Sequence, residues 1–196
     1  MTLLDYNSVR GDIQNGDLLL WEPTNLFGRI VSRLSGGKYS HVASVSWSGD
    51  VLECHEMLQW QGGQTTNLSV QVRNYPGKVH VYRIGNLKEP YAFSQRQRRR
   101  AGEKYGWWNL KCATTGRLLG YSRLPRLLDV SVSYDQRRRK ELYITPLTQP
   151  AFCSQAVVSD LRAAGRDAFP TKAAWEIDPN MLATIAEYQF TLTYAK

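Results

Sequence analysis

Residues 150–165 read PAFCSQAVVSDLRAAG, and this stretch predicts the helix around which the chain is organised. Counted from Cys153, the spacing of one helix face is met at positions 156, 157, 160, 161 and 164. All of these positions except Asp160 are apolar. Cys153 is therefore expected to head the buried face of this helix.

Both ends of the predicted helix carry recognisable signals. Thr148 is suited to cap its start, Pro150 fits only a first turn, and Gly165 suits the left-handed residue that follows a helix end. This places Cys153 in the first turn, where unpaired amides and the helix dipole favour thiolate over thiol and can bind an oxyanion. The chemistry suits a nucleophile, and the alternative is a small buried core residue.

The composition indicates a folded, basic protein of 196 residues with a formal charge of +8. Its three cysteines are an odd and sparse set, which does not make a disulfide scaffold. No segment approaches the roughly 18 uninterrupted apolar residues of a membrane span, and the first residues do not resemble a secretory signal. A cytoplasmic location is expected by default, with carriage in a virion or release by lysis left open.

Two arginine-rich runs, at 96–100 and 137–140, concentrate the positive charge. We expect them to form solvated helix faces. The alternative is that they attract the protein to an anionic polymer, such as an acidic cell-wall component, to a membrane surface or to nucleic acid. Neither run has a nucleic-acid motif or interleaved aromatic residues, so no specific nucleic-acid partner is expected.

The remaining patterns predict one α+β domain over residues 1–196. Helices are expected at 25–34, 90–106 and after an Asp178 cap, and strands at 18–21, 38–47, 51–57, 70–72, 79–83 and 188–192. Residues 58–69 are expected to form a loop over the site. Residues 109–147 show no reliable periodicity and resemble a lineage-specific basic insertion.

The two strands around the turn at 48–50 form a predicted hairpin that carries a second reactive group. His41 on the first strand faces the region of Glu53 and His55 on the second, so one of these could orient its ring. Alternation puts Glu53 and His55 on one face and Cys54 and Glu56 on the other, and only one set can point at His41. Together with Cys153, this makes a candidate nucleophile, base and orienting group.

The order of the short motifs resembles the circularly permuted branch of the NlpC-like, papain-related cysteine hydrolases. The resemblance extends from about residue 15 to 185 and is carried by Asn15-Gly16-Asp17-Leu18-Leu19, Lys38-Tyr39-Ser40-His41-Val42-Ala43, Val51-Leu52-Glu53, Phe152-Cys153-Ser154-Gln155-Ala156-Val157 and Asp178-Pro179-Asn180-Met181-Leu182.

This resemblance implies a papain-like α+β fold, in which an antiparallel sheet packs against the helix of the nucleophile. By position it implies Cys153 as nucleophile, His41 as base, Glu53 as the group that orients His41, and Tyr39 at the substrate cleft. It implies no cofactor. The implied substrates are peptidoglycan peptides first, and lipid or other amides and esters second, for a hydrolase or an acyltransferase.

Several alternatives stay open at the level of the sequence. His55 could replace Glu53 as the orienting group, or His41, Cys54 and His55 could share a metal, although the chain has no paired ligand spacing of the usual zinc kind. The chain could also be a non-catalytic module, such as a part of a phage particle or secretion apparatus that docks through its basic surface. A nucleic-acid binder that acts through the arginine runs is the third alternative.

Overall fold

The central strand of the fold is apolar at every position because both of its faces are buried. In the computed structural model of the chain, which describes residues 3–119 and 150–193, this strand is β2 (Leu18–Trp21). Leu18 and Leu20 pack into one hydrophobic cluster, and Leu19 and Trp21 pack into the other. The two-residue period of a strand thus divides β2 between two cores.

The described residues form helices and strands in mixed order. The strands are β1 (Leu3–Asp5), β2, β3 (His41–Ser48), β4 (Val51–Leu58), β5 (Gly62–Asn67), β6 (Val79–Arg83) and β7 (Glu187–Thr193). The α-helices are α1 (Tyr6–Val9), α2 (Leu26–Leu34), α3 (Leu68–Asn74), α4 (Pro90–Arg98), α5 (Trp107–Leu119), α6 (Cys153–Ala163) and α7 (Pro179–Thr184). Short 3₁₀ helices cover Arg10–Asp12 and Ala174–Glu176.

The seven strands form one mixed sheet in the order β1-β7-β6-β2-β3-β4-β5. Strand β1 pairs with β7 in parallel, and every other neighbouring pair is antiparallel. The predicted α+β class is confirmed, whereas the expectation of a purely antiparallel sheet is wrong at this one edge. That parallel pair joins the two most distant strands of the chain.

Helices cover both faces of the sheet. One hydrophobic cluster joins Phe93 of α4, Cys153 of α6 and Leu182 of α7 to the sheet. The opposite cluster includes Tyr6 of α1 and Leu68 of α3. The helix of the candidate nucleophile therefore packs on one defined side of the sheet, as predicted.

Helix α6 begins at Cys153, so this residue lies in the first turn as predicted, although the helix starts later than Thr148 and Pro150 indicated. Residues 153–162 are all buried. Gly165 adopts φ 79°, which confirms the left-handed residue predicted after the helix end. The residue at the cap position is Phe152, and Pro150 lies before the helix rather than in its first turn. The predicted cap, Thr148, lies outside the described residues.

The one charged residue in the apolar stripe of α6 has its partners on α4 and just beyond it. Asp160 is fully buried and accepts hydrogen bonds from Arg96, Gln97 and Arg100. Arg100 is itself only 1% exposed. The first arginine run is therefore not a simple solvated face, because part of it neutralises a buried carboxylate. The second run lies outside the described residues.

Several segments differ from the sequence-based prediction. The helix predicted at 90–106 ends at Arg98, and a separate helix, α5, begins at Trp107. Residues 70–72 belong to helix α3 rather than to a strand, and Asn67 caps this helix by accepting from the Ser69 amide. The predicted loop at 58–69 contains strand β5. Of the segment 109–147, only the part within α5 is described.

Candidate active site

The candidate nucleophile lies where α6 meets the start of β3. Cys153 is the first residue of α6, and the first backbone hydrogen bond of this turn runs from the Ala156 amide to the Phe152 carbonyl. The amides of Cys153, Ser154 and Gln155 precede this bond and have no partner within the helix, as at any helix start. The Cys153 side chain receives hydrogen bonds from the backbone amides of Val42 and Ser154. These donors favour a negative sulfur.

The segment before Cys153 is fixed by its neighbours. Tyr105 forms a parallel bridge with Ala151, and the Gly106 amide donates to the Ala151 carbonyl over 2.9 Å. A Cβ on Gly106 would lie 2.8 Å from the backbone of Ala151, so only glycine permits this approach. On the other side, the Ser154 hydroxyl donates to the Ile177 carbonyl over 2.7 Å. These contacts set the position of the thiol.

His41 is the first residue of β3 and its side chain is 20% exposed. Its Nε2 lies 2.9 Å from Oε2 of Glu56, on the neighbouring strand β4. A hydrogen bond with the Cys153 side chain also acts on His41. Because Nε2 is engaged by Glu56, Nδ1 is the nitrogen left for the sulfur. The structure thus brings together the predicted Cys153 and His41.

Glu56, and not Glu53, makes the orienting contact with His41. The ladder pairs Glu56 with Ala43 and Glu53 with Ser46, so Glu56 shares a face with His41 while Glu53 points to the other face. Glu53 instead lies 3.4 Å from Arg98. The predicted contact from Glu53 is therefore not formed. Side chains alternate between the two faces of β4, and Glu53 lies on the face opposite to His41.

The Glu56 carboxylate is held from both sides. Its side chain is 3% exposed, and its second oxygen, Oε1, accepts a 2.8 Å hydrogen bond from Gln71 on α3. Gln71 donates in addition to the hydroxyl of Thr66 on β5. Sequence reasoning missed this support because α3 was predicted to be a strand.

His55, the alternative orienting group, is committed elsewhere. It is fully buried, with Nε2 2.8 Å from the Ser46 hydroxyl and Nδ1 3.0 Å from the Thr65 hydroxyl. Burial, together with the charge of Arg98, lowers the pKa of His55 to about 4. The ring is neutral at physiological pH and bridges two hydroxyl groups.

The thiol and imidazole shift each other toward an ion pair. Burial alone lowers the pKa of His41, but the hydrogen bonds with Cys153 and Glu56 and their charges raise it to about 10. Burial raises the pKa of Cys153, and the interaction with His41 and the Val42 and Ser154 amides bring it below that of an ordinary thiol. Both shifts move the pair toward a thiolate beside an imidazolium.

Tyr39 does not occupy the place predicted for it. Its side chain is only 2% exposed, and its hydroxyl lies 2.7 Å from that of Tyr82, with the ring packed against His80. Burial and the hydrogen bond with Tyr82 raise its pKa. Tyr39 is not among the described residues that line the cleft at Cys153. Its buried side chain instead supports the start of the strand that carries His41.

The backbone of Tyr39 is held by Asn180, the third residue of the motif Asp178–Leu182. The Asn180 amide side chain accepts from the Tyr39 N–H over 2.9 Å and donates to its carbonyl over 3.0 Å. Asp178 caps α7, as predicted, by accepting from the amides of Asn180 and Met181. The cap fixes Asn180, and Asn180 fixes the backbone two residues before His41.

A cleft opens at Cys153 and has mostly apolar walls. Its apolar side chains come from α2, the stretch 105–113, the segment before α6 and the segment 175–179: Val31, Leu34, Tyr105, Leu110, Ala113, Phe152, Trp175, Ile177 and Pro179. Polar groups at the cleft include Ser40 and Gln59. No local pattern predicts this lining, because its apolar residues come from four separate segments.

The metal alternative finds no support in this arrangement. Cys54 and His55 are neighbours on β4 and point to opposite faces, so they cannot both turn toward His41. Within residues 3–119 and 150–193, no three His, Cys, Asp or Glu side chains gather where they could hold a metal ion. Over the same residues, no helix combines the length and apolar character needed to cross a bilayer.

Comparison of the sequence with known proteins does not identify a family for this chain. No protein-family model matches the chain, and no curated protein matches it.

Proposed function

We propose that the chain is a cysteine hydrolase with a permuted papain-like arrangement, and that it cleaves an amide or ester bond. The observation that carries this proposal is the chain of contacts from Cys153 at a helix start through His41 to the buried Glu56. A nucleophile, a base and an orienting acceptor in this order are the parts that acyl transfer requires.

The proposed reaction has two steps. The Cys153 thiolate bonds to the substrate carbonyl carbon, and the oxyanion that forms is stabilised by amides at the start of α6. As the carbonyl re-forms, the amine or alcohol leaves with the proton of the His41 imidazolium, and a thioester remains. His41 then takes a proton from water, the hydroxide oxygen attacks the thioester, and the acid and the thiolate are released.

Glu56 acts in this scheme as a positioning residue. It holds the His41 ring through Nε2, which turns Nδ1 toward the sulfur, and its negative charge favours the imidazolium. Gln71 keeps the Glu56 carboxylate in place by donating a hydrogen bond to its other oxygen, Oε1. The role that the family resemblance implied for Glu53 passes to Glu56.

Two substrate classes follow from different observations. Peptidoglycan peptides are the substrate that the motif resemblance favours, and they remain the first candidate. The cleft favours the second class, because side chains such as Leu110, Phe152 and Trp175 would contact an apolar acyl chain better than a polar peptide. Lipid amides and esters are therefore the second candidate.

The nucleophile is tested by the rate at which iodoacetamide labels each cysteine near neutral pH. Cys153 should react roughly tenfold faster than Cys54 or Cys112, because a larger share of it is thiolate, and His41→Ala should slow this labelling. Burial raises the pKa of Cys54, so it serves as the internal reference. Equal rates for all three cysteines would refute the catalytic proposal and favour a non-catalytic module.

The positioning role is tested by comparing Glu56→Gln with Glu53→Gln. We expect Glu56→Gln to reduce the Cys153 labelling rate and any hydrolytic rate by roughly tenfold to a hundredfold. Glu53→Gln removes the same charge from the same strand, on its other face, and should leave both rates close to wild type. The reverse result would restore Glu53 as the orienting residue.

The substrate is tested by incubating the protein with purified peptidoglycan and, separately, with phospholipid vesicles, followed by mass spectrometry of the products. Release of stem-peptide fragments would select the first class, and release of fatty acid would select the second. Cys153→Ala must abolish whichever product appears. Product formation that survives this substitution would contradict the proposed mechanism.

A further inference from the structure

The surface beside the cleft contains an amphipathic helix that presents its apolar side to solvent. On α2, Leu26 is 75% exposed, Phe27 45%, Ile30 48% and Leu34 36%. In contrast, Ser32 is 6% exposed and thus faces the protein. A surface helix ordinarily buries its apolar face and exposes its polar one. In α2 this orientation is inverted.

The orientation of α2 follows from its inner contacts. A Cβ added to Gly28 would lie 2.8 Å from the side chain of Pro23. The backbone of α2 therefore packs closely against Pro23 at Gly28. At 100° per residue, Gly28 and Ser32 lie on one side, and Leu26, Ile30 and Leu34 lie on another. The small residues fit against the protein body, and the large apolar ones are left outside.

The outward apolar strip of α2 is continuous with the cleft of Cys153. Val31 and Leu34 line the cleft, so the helix forms one of its walls. Two other segments at the cleft each add an exposed indole ring. Trp108 is 58% exposed on α5, and Trp60, next to the cleft residue Gln59, is 85% exposed. Exposed tryptophans beside an apolar strip are typical of surfaces that enter the polar-apolar boundary of a bilayer.

The charges next to the apolar strip are positive. Helix α2 carries Arg29 and Arg33, both exposed, and has no acidic residue. Among the described residues, neither arginine takes part in an ion pair. Helix α5 also lacks acidic residues and exposes Lys111. Apolar residues flanked by arginines complement an anionic bilayer, in which the phosphate groups lie directly above the acyl chains.

We infer that α2, with Trp60 and Trp108 beside it, is a docking surface for anionic phospholipid membranes. The strip inserts Leu26, Phe27 and Ile30 among the acyl chains, and Arg29 and Arg33 remain at the phosphates. Docked in this way, the mouth of the cleft faces the bilayer. The docking surface does not depend on the proposed reaction, because a protein without its nucleophile would bind equally well.

The inference is tested by vesicle sedimentation with the full chain carrying Cys153→Ala, so that turnover does not change the lipid. Vesicles of phosphatidylcholine mixed with phosphatidylglycerol should bind the protein, and vesicles of phosphatidylcholine alone should bind it much more weakly. Binding should weaken as salt is added. Failure to bind the anionic vesicles would overturn the inference and leave the catalytic proposal untouched.

Two double variants separate the apolar contribution from the electrostatic one. Leu26→Ser with Ile30→Ser should weaken binding by at least about tenfold, since each side chain loses its transfer into the bilayer. Arg29→Gln with Arg33→Gln should weaken binding to anionic vesicles by about tenfold and leave zwitterionic binding unchanged. Both pairs are exposed, so the fold should be retained.

Matched controls remove similar groups elsewhere. Val70→Ser removes a 49% exposed apolar side chain on α3, which packs on the other face of the sheet, and Lys88→Gln with Arg99→Gln removes two exposed charges. These controls should bind like the parent. If the controls weaken binding as much as the α2 variants, or if α2 variants instead convert a dimer into a monomer, α2 is not a membrane surface.

Discussion

Helices α6 and α2 have similar apolar spacing in the sequence and opposite roles in the structure. Every residue of α6 from Cys153 to Arg162 is buried, including Asp160. Helix α2 buries only Ser32 and leaves four large apolar side chains exposed. Periodicity therefore predicts that a helix forms and which residues share a face, but not whether this face meets the protein or the solvent.

The largest expected difference between the two helices concerns charge. Asp160→Ala should lower the free energy of unfolding by about 3–5 kcal/mol, because it removes the carboxylate that accepts from two nitrogens of the buried Arg100 and leaves this guanidinium with the longer contact to Glu103. Arg33→Ala on α2 should change it by no more than about 0.5 kcal/mol. Urea unfolding of both variants measures the difference. Equal effects would mean that the pair with Asp160 contributes little.

The second difference concerns the apolar positions. Leu161→Ala on α6 should cost about 3 kcal/mol, since Leu161 is 3% exposed and its removal leaves a cavity. Leu26→Ala on α2 should stay within about 0.5 kcal/mol in the absence of lipid. Both values come from the same unfolding experiment. A cost near 3 kcal/mol at Leu26 would show that its face is covered in solution.

The third prediction concerns pH at the start of α6. The raised pKa of His41 contributes stability that is complete below pH about 6.5 and is lost as pH rises through about 10. The lowered pKa of Cys153 contributes stability that is present above its ordinary value and lost as pH falls through its folded value. The thiolate–imidazolium pair therefore stabilises the fold most at pH values between the folded-state pKa of Cys153 and that of His41.

This pH dependence is visible in the labelling of Cys153. Its labelling midpoint in the wild-type chain should lie below that of a free thiol, and His41→Ala should move the midpoint up toward pH about 8.5 or higher. Stopped-flow alkylation across the pH range measures both. An unchanged midpoint in His41→Ala would show that the amides at the helix start, rather than the imidazole, set the state of the sulfur.

The smallest expected effect is one that the two helices share. Gly165 follows α6 with φ 79°, and Gly36 follows α2 with φ 69°. A Cβ at either position would meet nothing within 4 Å, so the cost of Gly→Ala is conformational and should be about 1 kcal/mol in each case. Unfolding midpoints of the two variants test this. A large inequality would mean that packing, and not backbone conformation, governs one of the ends.

Local signals predicted those parts of the fold that depend on neighbouring residues. Strand β2, the hairpin β3–β4, the glycine after α6 and the Asp178 cap all follow from runs, turns and caps within a few residues. Helix α3 was missed because Val70 and Val72 alternate as they would in a strand. Its Asn67 cap and its packing through Leu68 outweigh that preference.

The candidate site was predictable in part. Cys153 and His41 follow from the motifs and lie together, but the choice of Glu56 over Glu53 depends on the register and on which face of the hairpin His41 uses. Asn180 reaches the site from a helix 141 residues beyond Tyr39, and Gln71 from a helix 15 residues beyond Glu56. Their roles depend on tertiary contacts that no local pattern encodes.

The Asn180 contact has a consequence for the time at which the chain becomes reactive. Asn180 follows Tyr39 by 141 residues, and β1 pairs with β7 over an even longer separation. Contacts of such long range form late, because closing a large loop costs entropy before any contact repays it. We therefore expect the β3 segment before His41 to become fixed late in folding. During refolding, the reactivity of Cys153 should therefore rise only after the secondary structure has formed, and the time at which it rises reports when this segment becomes fixed.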